Sequence, residues 1–212
     1  MQNNKVLLLL SGGIDSTVLL YWLLDKNYDV NTIHINYGQK SFKGEKNAIL
    51  SLNICKENHF TLDIPHVSEI GMGSLVGELP NVIESREEWF VKEYFPNRNM
   101  ILISIAAAYA YKLGCNKIAL GVVGQNSYSD TSVEFIDSIK KALISSFGAD
   151  YQIIAPFVNS KREVVVEEAV RLKVPLTKTF SCNALGNRHC LFCTSCIERE
   201  KTIDLWKTYN NK

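Results

Sequence analysis

A short apolar strand, a two-glycine turn and the start of a helix meet within a few residues near the beginning of this chain. The apolar run Val6–Leu10 is followed by Ser11-Gly12-Gly13-Ile14-Asp15-Ser16 and then by the amphipathic run Thr17–Leu24. Glycine allows a tight turn and the close approach of a ligand, because it has no Cβ. A helix start offers unpaired N–H groups and a positive dipole end to an anion. The arrangement therefore predicts a phosphate-binding loop.

The polar side chains of this loop indicate which phosphate ligand it takes. Ser11 and Ser16 add hydroxyl donors, whereas a carboxylate such as Asp15 beside a phosphate usually requires a metal ion between them. We therefore predict a polyphosphate with Mg²⁺, most simply ATP. The alternative is a purely structural role: an N-capped helix after a glycine turn, in which the Asp15 carboxylate interacts favourably with the positive end of the helix dipole. The predicted ATP-binding residues are Leu10, Ser11, Gly12, Gly13, Ile14, Asp15, Ser16 and Thr17, with Gly121 after a later strand.

Strand-like and helix-like segments alternate along the chain. The strand-like segments are Lys5–Leu10, Val30–Asn36, Thr61–Val67, Lys117–Val123 and Tyr151–Pro156. The helix-like segments are Thr17–Lys26, Phe42–Glu57, Asn99–Leu113, Val133–Ser146, Lys161–Leu172 and Thr194–Trp206. Repeated βα units predict a Rossmann-like α/β fold, a parallel sheet with helices on both faces and ligands beyond the carboxyl ends of its strands. The irregular stretch Glu69–Glu93 is interpreted as an active-site flap or insertion.

Length and composition limit the organisation of the chain. Its 212 residues suit one α/β domain, residues 1–174, followed by a cysteine-bearing segment, residues 175–212. The net charge of +1 predicts no bulk attraction to nucleic acid or to an anionic membrane. No apolar stretch is long enough to cross a bilayer, and the first residues do not read as a signal peptide. We therefore predict a cytoplasmic protein, whose cysteines are metal ligands or thiols, not disulfides.

Four cysteines near the end of the chain have the spacing of a metal site. Cys182, Cys190, Cys193 and Cys196 form the pattern C-x7-C-x2-C-x2-C. Two-residue gaps allow thiolates to surround one ion, and four sulfurs complete a tetrahedral zinc site with no open position for chemistry. We therefore predict structural Zn²⁺ that fixes the following helix to the domain. An iron–sulfur cluster uses the same ligands and remains the alternative. His189 lies beside the set, but four cysteines suffice.

These motifs together resemble a known family. The order Ser-Gly-Gly-x-Asp-Ser after a first strand resembles the PP-loop ATP enzymes (adenine nucleotide alpha hydrolase-like). The added four-cysteine site resembles that of their QueC-like members, the 7-cyano-7-deazaguanine synthases. Further strings that resemble the family are Tyr37-Gly38-Gln39-Lys40, Phe95-Pro96-Asn97-Arg98-Asn99, Gly121-Val122, Tyr128-Ser129-Asp130 and Lys161 with Glu163.

The resemblance implies a reaction and its partners. An ATP-dependent carbon–nitrogen ligase would adenylate 7-carboxy-7-deazaguanine, couple it to ammonia and form the nitrile through the amide, in queuosine biosynthesis. The implied cofactors are ATP, Mg²⁺ and structural Zn²⁺, and the implied assembly is a homodimer that binds neither nucleic acid nor membrane directly. Asp15, Arg98 and Lys161 are the implied catalytic residues. The implied substrate-binding residues are Tyr37, Gln39, Lys40, Arg98, Asn99, Tyr128 and Asp130.

Four of these residues also have a structural interpretation. Arg98 and Lys161 would stabilise charge on phosphate or carboxylate, or be solvated surface cations. Asp130 would accept from the deazaguanine ring or be a turn carboxylate, and Tyr37 would stack on the purine or cap the sheet edge.

The chain departs from the family's pattern at two places. Thr131-Ser132 stands where the family has Cys-Arg, and Asn97 stands where it has glycine. The first change motivates an alternative, a QueC-like ligase that conjugates the deazaguanine acid to a protein or another amine in antiviral defence. A non-catalytic nucleotide sensor is the alternative from another class. Enzymes of tRNA lysidine formation or thiolation are disfavoured by the near-neutral charge, and synthetases of GMP or NAD by the lack of an amidotransferase domain.

Overall fold

The computed structural model describes residues 4–54, 56–71, 75–76, 95–124 and 128–210. Within these residues, five parallel strands form one sheet in the order β3-β2-β1-β4-β5. The strands are β1 (Lys5–Leu9), β2 (Asp29–Asn36), β3 (His59–Asp63), β4 (Lys117–Leu120) and β5 (Gln152–Ile154). The helices are α1 (Ile14–Asp25), α2 (Phe42–Leu52), α3 (Arg98–Lys112), α4 (Val133–Phe147), α5 (Arg162–Arg171) and α6 (Thr194–Asn210).

The central strand β1 is apolar from Val6 to Leu9 because both of its faces are covered there. Val6 and Leu8 belong to the core between the sheet and α1, α2, α5 and α6. Leu7 belongs to the opposite core, beneath α3 and α4. A strand buried on both sides needs no alternation of polar and apolar residues, which is typical of parallel sheets. The predicted Rossmann-like fold with helices on both faces is confirmed.

The strand order determines where a ligand can enter. The chain moves outward from β1 through β2 to β3 and then returns to place β4 on the other side of β1. The connections after β1 and β4 therefore run in opposite directions and leave a crevice at the carboxyl ends of these strands. Such switch points are the usual ligand sites of open α/β sheets. The serine-glycine loop and Gly121 both lie at this point.

Several predicted boundaries differ from the structure. Helix α1 begins at Ile14 and not at Thr17, β4 ends at Leu120 and not at Val123, and α6 continues beyond Trp206 to Asn210.

Two further boundaries are wrong for clear local reasons. Helix α2 ends at Leu52 and not at Glu57, because Asn53 adopts a left-handed backbone with φ of 57° and closes the helix. Strand β3 ends at Asp63 and not at Val67, because Pro65 begins a short 3₁₀ helix, Pro65–Ile70. The predicted flap Glu69–Glu93 lies mostly outside the described residues.

The last helix shares the core of the sheet domain. Ile203 on α6 is buried in the core that includes α1 and α5, and Trp206 packs against the same core. The division of the chain after residue 174 stays a prediction. In the described part of the chain, no helix combines the length and apolar character needed to span a bilayer.

Candidate active site and metal centre

The phosphate loop, residues 10–17, is shaped by close backbone approaches. Gly12 has a left-handed φ of 72°, and a Cβ there would lie 2.8 Å from the carbonyl oxygen of Glu45. A Cβ on Gly121 would lie 2.6 Å from the backbone nitrogen of Ser16. Strand β4 therefore reaches the start of α1 only because residue 121 is glycine. The Ser11 and Ser16 hydroxyls lie 3.1 Å apart, and Ser16 Oγ donates to the Gly13 carbonyl, so the two hydroxyls are held together beside the helix start.

A cleft of about 450 Å³ opens at the switch point. It continues into an acid-side cavity of about 380 Å³, lined by Arg98, Tyr128 and Asp130 among others. It also continues into a phosphate-side cavity of about 240 Å³, lined by Ser11, Gly13 and Asp15 among others. These three spaces form one region, because each cavity shares lining residues with the cleft.

Most predicted site residues line this region. Those at the phosphate end are Leu10, Ser11, Gly13, Ile14, Asp15, Ser16 and Gly121. Those at the opposite end are Tyr37, Gln39, Arg98, Asn99, Tyr128 and Asp130. Four predicted residues are not among the lining residues, namely Gly12, Thr17, Lys40 and Lys161. Thr17 is fully buried and Lys161 is exposed at the start of α5. The functional roles of all these residues stay predictions.

Arg162 was missed by sequence reasoning, which chose its neighbour Lys161. The Arg162 guanidinium makes a two-pronged contact with the Asp15 carboxylate and lines the cleft. It therefore places a positive charge beside the predicted phosphate site. One sequence feature could have indicated Arg162: it lies in the first turn of α5, at the end of the connection from β5. Charge alone does not show which of two adjacent cations faces the cleft.

The acid-side cavity contains a cation with two oxygen neighbours. Burial alone would lower the pKa of Arg98, but the Tyr37 phenol and the Asp130 carboxylate outweigh it and raise the pKa overall. Burial raises the pKa of Tyr37, so the phenol stays neutral while Arg98 stays charged at neutral pH. Asp130 Oδ2 accepts from the backbone N–H of Asn99 at 3.1 Å, at the start of α3. The pocket thus offers a fixed positive charge suited to a carboxylate or phosphate.

Gln39 and Glu45 organise the turn after β2. Gln39 Oε1 accepts from the Tyr37 backbone N–H, and Gln39 Nε2 donates to the Ile35 carbonyl and to Glu45 Oε2. Glu45 Oε2 also lies 2.8 Å from Nε2 of the buried His34. Both N–H groups of the Gln39 amide are therefore used within the protein. Its predicted contact with substrate stays a prediction.

The departures from the family pattern have local structural explanations. Asn97 adopts a left-handed φ of 54° at the start of α3, a conformation that glycine takes freely and asparagine tolerates. Ser132 caps α4, since its side chain accepts from the Phe135 backbone N–H at 3.1 Å. Thr131 lines the cleft. The serine therefore stabilises a helix start, and the positive charge of the family's arginine is absent at that position.

The cysteine segment, residues 181–196, forms a second wall of the cleft that sequence reasoning did not foresee. Asn183 and Ser195 lie on this wall, and Glu198, Arg199 and Thr202 extend it along α6. The Arg199 guanidinium donates to the carbonyls of Thr177 and Thr179, so it is fixed by backbone on the preceding turn. The residue just before the segment ties it to the phosphate loop, because the Phe180 backbone N–H donates to the Gly12 carbonyl at 2.9 Å.

The four predicted cysteines form one compact group. Their sulfur atoms all lie within 4.8 Å of one another, and those of Cys190 and Cys196 are 3.8 Å apart. Four sulfurs at the usual zinc distance of about 2.3 Å stand roughly 3.8 Å apart in a tetrahedron. A cluster of several irons needs more widely spaced ligands, so the spacing favours a single ion. The His189 ring instead packs against Phe180, with ring centroids 4.9 Å apart.

The thiol pKa values are shifted in different directions. Burial raises the pKa of Cys193 to about 11 and raises that of Cys196 as well, whereas burial at Cys190 is outweighed by backbone hydrogen bonds from Cys193 and Phe192, which lower the pKa of its thiol. A divalent ion would supply the charge that keeps these sulfurs deprotonated. The residues present therefore fit a structural zinc ion, with Cys182, Cys190, Cys193 and Cys196 as its ligands.

Comparisons with known proteins agree with this geometry. A family model described as "Queuosine biosynthesis protein QueC" matches residues 5–207. The chain is 57% identical to 7-cyano-7-deazaguanine synthase 1 of Desulfitobacterium hafniense over 97% of this chain and 94% of the relative. It is 38% identical to 7-cyano-7-deazaguanine synthase of Archaeoglobus fulgidus over 94% of this chain and 85% of the relative.

Solved structures share the fold at low sequence identity. One is a 4-thiouridine synthetase in complex with RNA and bound ATP, with a TM-score of 0.52 and 17% identity over 98% of this chain and 53% of that chain. Another is a predicted subunit of tRNA methyltransferase from Methanocaldococcus jannaschii, with a TM-score of 0.50 and 18% identity over 78% of this chain and 73% of that chain. At this identity the likeness shows the fold alone and carries no information about activity.

Proposed function

The chain belongs to the QueC family of queuosine biosynthesis proteins, and from that premise we propose that it is an ATP-dependent ligase that forms 7-cyano-7-deazaguanine. Its substrates are 7-carboxy-7-deazaguanine, ammonia and ATP. The observation that carries the proposal is a single cleft that joins the phosphate loop to a cavity holding the Arg98 cation. Such a cleft can hold an anionic acid in contact with a nucleoside triphosphate.

The chemistry explains why both ends of the cleft are needed. A carboxylate is a poor electrophile, so one of its oxygens attacks the α-phosphorus of ATP and pyrophosphate leaves. Ammonia then attacks the acyl carbon, AMP leaves, and the amide remains after loss of protons. The amide oxygen attacks a second ATP in the same way, and loss of AMP and of the nitrogen protons forms the nitrile. The protein contributes positioning and charge stabilisation.

Different residues bind the nucleotide and the substrate acid in this proposal. Ser11, Gly13 and Ser16 hold the triphosphate beside the start of α1. Asp15 binds Mg²⁺ or organises the loop, and Arg162 beside it neutralises phosphate charge. In the other cavity, Arg98 holds the substrate carboxylate. Lys161 is exposed in this conformation, so its proposed contact with phosphate needs a movement of its side chain.

The four cysteines hold structural Zn²⁺ in this proposal. A closed tetrathiolate leaves no position for substrate, so the ion stabilises the wall of the cleft. We propose a cytoplasmic location, because thiols stay reduced and available to a metal ion there. A homodimer is proposed from the family resemblance, and its mass in solution, measured by light scattering, tests it.

The relatives favour the nitrile synthase over the two alternatives. Each of the two compared here carries the name of a 7-cyano-7-deazaguanine synthase, with 57% and 38% identity along almost the whole chain. The only feature that motivated conjugation is Thr131-Ser132, and Ser132 there caps α4. Nucleotide sensing has no specific observation in its favour.

One assay tests the proposal. The zinc-loaded protein is incubated with ATP, Mg²⁺, 7-carboxy-7-deazaguanine and ammonium, and the purine product is identified by mass. We expect the nitrile, with AMP and pyrophosphate released. Formation of ADP, or a purine product only when a protein amine is supplied, would contradict the proposal. The Asp15→Asn variant is the control for turnover at this site.

A further inference from the structure

The hydrogen-bonded pair Asn183–Ser195 lies where the two halves of the cleft meet. Ser195 is the only residue, among those that the structure describes, that lines the acid-side cavity, the phosphate-side cavity and the cleft between them. Asn183 lines the acid-side cavity and the cleft. Its Nδ2 donates to Ser195 Oγ at 2.9 Å. These two side chains are therefore next to the place where an acid bound near Arg98 would reach a nucleotide bound at the loop.

Both residues are adjacent in sequence to cysteines of the cluster, which fixes their backbone positions. Asn183 follows Cys182, and Ser195 precedes Cys196. The backbone N–H of Asn183 also makes a hydrogen bond to the Cys193 sulfur. The positions of the two side chains thus depend on the group that holds the metal. An ion bound by the four cysteines would therefore hold this wall of the cleft in place.

The second adenylation requires a defined orientation of the substrate at this junction, which the first adenylation does not require. A carboxylate is symmetric, so either oxygen can attack the α-phosphorus after a half-turn about the bond to the ring. A carboxamide is not symmetric, because the same half-turn replaces its oxygen with an NH₂ group that cannot be activated. The second adenylation therefore requires a site that distinguishes C=O from NH₂. An acceptor for the amide N–H groups would turn the oxygen toward the nucleotide.

We propose that Asn183 and Ser195 orient the carboxamide intermediate for its second activation, an inference that rests on the proposed function. Ser195 accepts from the NH₂ end of Asn183 and so fixes which end of that side-chain amide faces the cleft. Asn183 Oδ1 then accepts an N–H of the carboxamide, whose oxygen attacks the α-phosphorus while pyrophosphate leaves. Ser195 is a positioning residue, since it acts through Asn183.

The amount of amide relative to nitrile is the measurement that tests this role. Zinc-loaded wild-type, Asn183→Ala and Ser195→Ala proteins are given 7-carboxy-7-deazaguanine, ammonium and ATP, and both products are quantified over time. We expect the ratio of amide to nitrile to rise about tenfold in Asn183→Ala, the loss expected for one hydrogen bond, and less in Ser195→Ala. The KM for the acid should stay unchanged. With the carboxamide supplied directly, kcat/KM should fall by the same factor as the ratio rises.

The matched control is Asn187→Ala, which removes the same side chain from an exposed position in the same segment. This variant should keep the wild-type product ratio. Zinc content and melting temperature are measured for every variant, because a loss of folded enzyme lowers both products equally and leaves their ratio unchanged.

Two results separate the inference from the proposed function. Wild-type product ratios in Asn183→Ala and Ser195→Ala, or equal falls of the two products with loss of zinc, would overturn the role of the pair alone. Failure of the wild-type protein to form either amide or nitrile would overturn the proposed function and the inference with it.

Discussion

The phosphate loop and the cysteine segment line the same cleft, but different forces hold them. The loop connects β1 to α1, two elements that contribute most of their apolar residues to the buried core. The cysteine segment has a small core, in which three of the four cysteines pack with Ala48, Phe180 and Ala184. A loop between two buried elements is positioned by the fold itself, whereas a segment with so small a core needs a metal ion. One wall of the cleft therefore depends on the sheet, and we expect the other wall to depend on an ion held by the cysteines.

The largest expected effect is the loss of the metal. Cys193→Ala should lower the free energy of unfolding by roughly 4 kcal/mol, since structural zinc binds with about 10–16 kcal/mol in zinc-finger peptides and α6 keeps part of its packing here. Thermal denaturation with and without a chelator measures this. The control Cys115→Ala removes a similarly buried thiol outside the cluster. Equal losses in both variants would contradict the contrast between the two regions.

Gly121→Ala is the corresponding change at the phosphate loop. The new Cβ would lie 2.6 Å from the Ser16 nitrogen and 2.7 Å from its Cα, so backbone must move. We expect a loss of about 3 kcal/mol in stability, together with loss of ATP binding in calorimetry. The control is Gly114→Ala, where φ is +69° but no atom lies within 4 Å of the new Cβ. That variant should lose about 1–2 kcal/mol from its left-handed backbone and still bind ATP.

Removal of Arg162 should affect the nucleotide more than the fold. Arg162 pairs with Asp15 at one end of α1, and Arg171 pairs with Asp25 at the other end, outside the cleft. Because both pairs are partly exposed, Arg162→Ala and Arg171→Ala should each cost no more than about 1 kcal/mol of stability. Only Arg162→Ala should raise the KM for ATP, by about tenfold, in steady-state kinetics. Equal KM values in both variants would show that Arg162 serves stability alone.

The smallest expected effect tests the contact between the two regions. A Cβ on Gly44 of α2 would lie 2.5 Å from the Phe180 ring of the turn before the cysteine segment. Gly44→Ala gains up to about 1 kcal/mol of helix propensity, against overpacking of about 1–3 kcal/mol. We expect a net loss of about 1 kcal/mol in chemical denaturation. Adding Phe180→Leu should recover it, and a strictly additive double variant would refute the contact.

The predictable part of the fold is the part encoded in local pattern. The five strands and six helices appear in the predicted order, because apolar runs and helical periodicity report burial directly. The errors occur at ends such as Asn53 and Pro65, where a single backbone conformation stops an element. Spacing also sufficed for the cysteines, since two-residue gaps already place sulfurs around a common point.

The residues that line the candidate site could be predicted where they belong to short strings with a recognisable chemistry or a resemblance to the family. The loop from Ser11 to Ser16 is one such string, and most of it lines the cleft. Arg162 differs, since its orientation depends on how α5 packs against α1, which no neighbouring residue reveals. Asn183 and Ser195 differ further, because twelve positions separate them and the cysteine cluster brings them together.

The amino-acid sequence alone determined the α/β fold, the serine-glycine loop and the clustered set of four cysteines, because each follows from residue type and spacing along a short stretch. Only the tertiary structure decided which residues face one another across the cleft. Parallel strands bring distant connections to one edge, and the side chains that meet there, such as Asp15 and Arg162, are 147 positions apart. Packing of helices and closure of the cysteine cluster produce those meetings, and neither leaves a local signal in the chain.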